Sequence, residues 1–268
     1  MPFSKEMILG SSGNQGAGEF YSYQIEKSCR FDNADTSYLY RTQGTGSSLR
    51  TWTFSTWFKK TQKFMLSADQ NPVFFSGAQD GGTNHGGLLF DSAKAGDMRP
   101  FNYTNSFDFD LRTTAVFRDP TAWTHVVMRV DTTQSTSGNR VRLYVNGTQL
   151  TAFDTESQPS QNFDTAFGIN STVMYVGDAT GSTSYDGLLA ETIFTDGQSY
   201  APTQFGETKN NVWIPKNPSG STFGNNGFHL QYGNSSNLGV DSSGNGNNFT
   251  SSGLGADHQS IDTPTFGE

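Results

Sequence analysis

Asp108 and Asp110 flank Phe109 at a spacing that puts both carboxylates on one face of a strand. A retaining glycosidase needs two carboxyl groups about 5 Å apart, one as nucleophile and one as general acid. No glutamate stands beside this pair, so the residues read as solvent-facing acids and hydrolysis of a polysaccharide is not expected. The four histidines, His85, His125, His229 and His258, stand alone in the sequence. None has the His-x-His, His-Glu-x-x-His or Cys/His spacing that holds zinc. No glycine-rich run ends in Gly-Lys-Ser/Thr to cradle a nucleotide phosphate, and no Gly-x-Ser-x-Gly elbow presents a serine nucleophile. What remains is recognition. Sugars are held by aromatic faces and by Asn or Asp side chains that bond hydroxyls. Loops 80–87, 97–110 and 178–186 carry Asn84, Tyr103, Asn105 and Tyr185 for that role, although any turn-rich loop holds such residue types.

Strands must position these residues. The stretch from Trp123 to Thr151 predicts two strands joined by a polar loop, then a tight turn into a third. Val126, Met128 and Val130 fall on one face, and His125, Val127 and Arg129 on the other. Val141, Leu143 and Val145 alternate in the same way with Arg140, Arg142 and Tyr144. Asn146-Gly147 supplies the two positive-φ positions of a type I′ turn. Trp52 to Phe58 reads as an aromatic strand, and further strands lie within 23–41, 64–90, 111–117, 173–177 and 188–194. Turns rich in Gly, Asn and Asp separate them at roughly ten-residue intervals, which indicates an antiparallel sandwich rather than a parallel sheet. Its core is expected to hold Phe54, Trp57, Val126, Met128, Val130, Leu143, Val145, Ile193 and Phe194 between two packed sheets. His125 is expected to be a structural residue of the sheet. The run from Asp241 to Gly246 matches the first half of an EF-hand loop, but its twelfth position is Ser252 rather than Glu, so an Asx-turn is the economical reading.

Composition agrees with an all-β chain of many turns and an aromatic core. The 268 residues include 30 glycines and 22 phenylalanines. A net charge of −8 argues against a nucleic-acid partner, which requires clustered Lys and Arg. The basic residues between Arg112 and Arg142 alternate along strands and suggest a solvated sheet face. The single cysteine, Cys29, excludes an intramolecular disulfide and reads as a buried, inert thiol. Residues 1–20 hold too few apolar side chains for a signal peptide or a membrane span, so the protein is expected to be made in a cytoplasm without membrane insertion. They read instead as a flexible or docking arm, 21–206 as the sandwich, and 207–268 as a C-terminal strap adding an edge strand through Phe228 to Tyr232.

The order W-x-H-V, polar loop, R-V-R-L-Y-V-N-G resembles the central hairpin of the concanavalin A-like, laminin-G/pentraxin-type jelly roll. A narrower resemblance runs from about residue 22 to the end. It is carried by S-Y-Q-I-E-K-S at 22–28, R-T-W-T-F-S-T-W-F-K at 50–59, F-R-D-P-T-A-W at 117–123 and Y-D-G-L-L-A-E at 185–191. It continues through G-N-N-G-F-H-L-Q-Y at 224–232, D-S-S-G-N-G-N-N-F-T at 241–250 and D-T-P-T at 262–265. In this order the segments are similar to LamG-like virion proteins of marine tailed phages. The resemblance implies an all-β jelly-roll sandwich of two antiparallel sheets with an N-terminal arm and a C-terminal strap. Glycosidases of this fold place their acids as E-x-D-x-E, and no such run exists here. Relatives often bind calcium through loop oxygens, for which Asp80, Asp178 and Asp186 are the candidates. The implied role is that of a non-enzymatic virion structural protein, displayed on the particle surface as a decoration, knob or appendage subunit after synthesis in the host cytoplasm. Its implied partners are other capsid or tail proteins, further copies of itself and host-surface glycans. Two rival readings stay open: a receptor-binding lectin of a tail fibre, and a carbohydrate-active enzyme.

Overall fold

The alternating segments fold as eighteen strands among the described residues of the computed structural model, which are 20–61, 71–77, 84–91, 96–179 and 184–265. In chain order these are β1 (Ser28–Phe31), β2 (Tyr38–Thr42), β3 (Thr51–Lys60), β4 (Val73–Gly77), β5 (Asn84–Asp91) and β6 (Asp97–Thr104). There follow β7 (Phe107–Thr113), β8 (Thr124–Asp131), β9 (Val141–Val145), β10 (Thr148–Gln149), β11 (Phe153–Ser157) and β12 (Val173–Val176). The last are β13 (Gly187–Asp196), β14 (Gly206–Lys209), β15 (Val212–Pro215), β16 (Phe228–Leu230), β17 (Thr250–Ser252) and β18 (Gln259–Ser260). No helix among the described residues is long and apolar enough to cross a membrane.

Two eight-stranded antiparallel sheets pack face to face. The back sheet runs β10–β9–β8–β3–β13–β1–β18, with β16 also paired to β13; the front sheet runs β11–β7–β6–β5–β4–β12–β2–β17. Trp52, Phe54, Met128, Leu143 and Phe194 from the back sheet meet Phe74, Phe75, Leu88, Phe90, Phe109 and Met174 from the front. Phe54 stacks on Phe75 with ring centroids 4.4 Å apart. Cys29 lies fully buried in this core, where burial pushes its thiol well above the ordinary range. The hairpin turn forms as its sequence demands, with Asn146 at φ 46° and Gly147 at φ 78°.

The outer face of the back sheet carries a third layer. Period two turns Trp57 and Ile193 away from the core that holds Phe54 and Phe194, so these two correct the expected core list. Both are buried nonetheless, Trp57 beside Ile25 and Trp213, and Ile193 beside Val127, Tyr144 and Phe205. Trp213 of β15 sits between Gly147 and Gly206, at each of which a Cβ would come within 2.4 Å of its ring. Its Nε1–H donates to His125 Nδ1 at 3.0 Å, which leaves His125 Nε2–H to donate to Ser55 Oγ at 2.8 Å. His125 also stacks on Trp57 with centroids 4.8 Å apart, and burial pushes its pKa down to about 3. It is a neutral structural residue. The face expected to be solvated is therefore covered at its centre, and even Arg129 is half-buried and bonds Ser199 Oγ at 2.7 Å.

The C-terminal segment contributes more than one edge strand. β16 pairs with β13 beside β1, β17 extends the front sheet from β2, and β18 extends the back sheet from β1.

Candidate functional site

On the front sheet, Arg99, Phe101 and Tyr103 of β6 share the outward face while Met98 enters the core. The β5–β6 register sets His85 opposite Tyr103 and Gly87 opposite Phe101. A register shift between Asn102 and Tyr103 then brings Phe107 of β7 opposite Tyr103. The result is an aromatic cluster: centroids lie 5.2 Å apart for His85–Tyr103, 5.3 Å for Tyr103–Phe107 and 5.6 Å for His85–Phe101. Phe107 remains 47% exposed, with the Arg99 guanidinium 4.5 Å from its ring centroid. Asn84 opens β5 opposite Thr104, and Asn105 takes φ 60° in the β6–β7 turn, a left-handed position that Asn adopts more readily than most residues. The fold thus gathers Asn84, Tyr103 and Asn105 at one end of the front sheet.

Tyr185 is elsewhere. It is fully buried, with centroids 5.1 Å from Phe74 and 6.4 Å from Phe31, and its N–H donates to the Gly177 carbonyl at 2.7 Å. This removes it as a sugar-stacking residue. A second outward group was missed in the sequence. Tyr38, Tyr40 and Tyr175 cluster with centroids 5.8, 5.8 and 6.4 Å apart, joined by the register that sets Tyr175 opposite Tyr40. The Tyr-x-Tyr spacing at 38–40 signals a shared face; its pairing with a residue 135 positions away is not readable locally.

The acids of this face are committed to arginines. Arg99 donates to both Asp110 oxygens at 2.6 and 2.7 Å and to Asp91 at 3.1 Å, while Arg112 reaches Asp91 at 3.0 Å. The hydrogen-bonded Asp110 carboxylate holds the Arg99 guanidinium above its ordinary pKa. Asp108 accepts from Asn102 Nδ2 at 3.0 Å. The expected solvent-facing acids are thus half-buried and bonded. A carboxylate held in a guanidinium fork is poorly placed as a nucleophile or a proton donor.

The two described calcium candidates do not assemble with other metal-ligating side chains among the described residues. Asp178 is fully buried; its Oδ1 accepts from Ala179 N–H and its Oδ2 from Ser184 Oγ at 2.6 Å. Asp186 Oδ1 accepts from Thr61 Oγ at 2.7 Å. Asp80 lies outside the described residues. Calcium needs six to eight oxygen ligands, and among the described residues no three His, Cys, Asp or Glu side chains group to hold a metal. The two described aspartates do not fit the ion. Asp241 takes the Asx-turn arrangement, accepting from Ser243 N–H, Ser243 Oγ and Asn247 N–H, each at 2.8 Å.

Two antiparallel sheets with an exposed aromatic face define a lectin-like jelly roll. The model of the concanavalin A-like lectin/glucanases superfamily (Laminin_G_3) matches residues 33–198, and the chain belongs to that family. No curated protein matches the chain in sequence. Similar solved structures include a heptameric SAP-like pentraxin from Limulus polyphemus, at 16% identity over 68% of this chain and 81% of that one, TM-score 0.46. Another is Domain 4 of AbnA, a GH43 extracellular arabinanase from Geobacillus stearothermophilus solved with arabinotriose, at 20% identity over 69% and 77%, TM-score 0.49. A third is tailspike protein 2 from the Escherichia coli O157:H7 bacteriophage CAB120, at 10% identity over 66% of this chain and 23% of that one, TM-score 0.42.

Proposed function

We propose that this protein is a non-enzymatic, lectin-like subunit of a phage virion surface, fixed through its back and presenting the front sheet to host glycans. The observation that carries the glycan-facing part is Phe107, a large ring 47% exposed inside a cluster with Tyr103 and His85 and flanked by Asn84 and Asn105. Exposed rings bordered by amides suit the apolar faces and hydroxyls of a sugar chain. The virion setting is supported by the ordered phage-like motifs between residues 22 and 265. The mode of attachment is supported by where the N-terminal segment lies. Lys209 Nζ donates to the Phe20 carbonyl at 2.7 Å and Ser22 Oγ to Glu207 at 2.6 Å, so Phe20 and Ser22 lie against β14, on the back of the sandwich. An arm docked on capsid or tail proteins from there leaves the front sheet outward.

Deleting residues 2–18 is expected to give a folded, soluble sandwich that no longer incorporates into particles, checked by its stoichiometry in purified virions. Full occupancy of the truncated protein would show that docking uses another surface.

A further inference from the structure

Glu191 occupies a place in β13 that its residue type does not favour. It lies in the register break between Ala190 and Ile193, at φ 49°, and is only 5% exposed. Glycine would adopt this conformation without strain, and a buried carboxylate adds a desolvation cost. The break is where β13 exchanges one neighbour for another: Gly187 to Leu189 pair with β1, and Thr192 to Phe194 with β16. Into that gap the Glu191 Oε2 reaches His229 Nε2 at 2.6 Å, and His229 is itself 6% exposed. Strained backbone positions cluster at active sites, ligand clamps and switch regions.

The gap opens to cavities on two sides. One of about 250 Å³ is walled by His229, Phe223 and the strap residues Asn217 and Ser219; the other, of about 320 Å³, by Glu191, Gln24 and Lys27. Tyr23 and Gln231 line both, and Gln231 Nε2 donates to the Tyr23 hydroxyl at 3.0 Å. These volumes lie at the low end for ligand pockets, enough for one small ring. The walls combine two aromatic rings with amides and hydroxyls; the Glu191 carboxylate is already engaged by its hydrogen bond with His229, and the rim residues Glu26 and Lys27 are opposite in sign. Such a lining suits neither an anion nor a cation. It suits a neutral molecule with several hydroxyls.

We propose that the cleft between the Tyr23–Lys27 segment and the strap is a second binding site, which takes a single neutral sugar residue and is separate from the front sheet. Hydroxyls of the ring bond Gln231, Asn217 and Ser219, and Phe223 or Tyr23 offers it an aromatic wall.

Saturation-transfer NMR on the full chain, with glucose, galactose and N-acetylglucosamine against charged glucosamine and glucuronate, tests this. A neutral sugar is expected to bind, with amide shifts on 23–27, 217–220 and 229–233. Gln231→Ala and Asn217→Ala should each weaken binding about fivefold to tenfold. Glu191→Gln also loosens the pair that holds β16, so Asn217→Ala, on an exposed strap residue, carries the comparison. The proposal is overturned if no neutral sugar binds, if only the charged ones do, or if neither alanine variant changes affinity. Amide shifts confined to 84–107 would overturn it while leaving the front-sheet reading intact.

Discussion

On the back sheet the outward residues Ser55, Trp57, His125, Val127 and Ile193 are all buried, because the segment from Tyr200 to Phe223 and the residues Tyr23 and Ile25 pack over them. On the front sheet, outward Tyr40 and Phe107 remain 37% and 47% exposed. Both sheets alternate in the same way, so alternation does not decide which face is sealed. The difference lies in what the rest of the chain brings. The segment from Tyr200 to Phe223 delivers Phe205 and Trp213 to the back, where polar atoms find internal partners such as the His125–Trp213 hydrogen bond. Nothing comparable reaches Phe107 among the described residues, although leaving apolar area in water costs about 25 cal/mol per Å².

The contrast can be broken most forcefully on the back. Trp57→Ala should destabilise the protein by about 3–5 kcal/mol through lost burial and a cavity under the strap, read from denaturant midpoints. A loss below about 1 kcal/mol would mean that the third layer contributes little. Acid should act on the same face. Folded His125 has its pKa pushed down to about 3 from the 6.5 of an unperturbed side chain. Below pH 6.5 the unfolded chain binds a proton that the folded chain refuses, so stability falls as pH drops, by about 1.4 kcal/mol per unit until the folded pKa is reached. Above pH 6.5 this contribution is flat. His125→Gln, which keeps a donor and an acceptor but cannot titrate, should flatten the decline between pH 6.5 and 4. An unchanged slope would locate the acid sensitivity elsewhere.

Changes on the front should cost less. Asp110→Asn replaces a carboxylate in the Arg99 fork, where the two side chains are 13% and 16% exposed, and should cost about 1–2 kcal/mol. A larger loss would make this network part of the fold's support rather than of its surface. Phe107→Ala should leave stability within about 0.5 kcal/mol.

How much of this was legible in sequence depended on how local the cause was. The β8–β9–β10 hairpin needs only period two and an Asn-Gly turn, both present within one stretch, and it forms as read. Asn84, Tyr103 and Asn105 lie at strand ends and in a turn, as their local sequence indicates. Trp57 and Ile193 were assigned to the wrong layer. Strand positions an odd number apart cannot both face inward, and their burial comes from Phe205, 12 residues from Ile193, and from Trp213, 156 residues from Trp57. Tyr185 looked like a loop-tip ring, yet it packs into the core against Phe74 and Phe31, which are far from it in sequence. The Glu191 break was invisible because no turn residue marks it, and its partner His229 arrives on β16.

We propose that the front sheet is the surface that meets host-surface polysaccharide, apart from the single-sugar cleft beside the strap. The most direct test is binding of the full chain to host-surface polysaccharide by biolayer interferometry, wild type against Phe107→Ala and Tyr103→Ala, with folding confirmed by melting temperature. The account predicts measurable binding that each substitution weakens about tenfold or more, at unchanged stability for Phe107→Ala. Binding retained at full strength in both variants would contradict it.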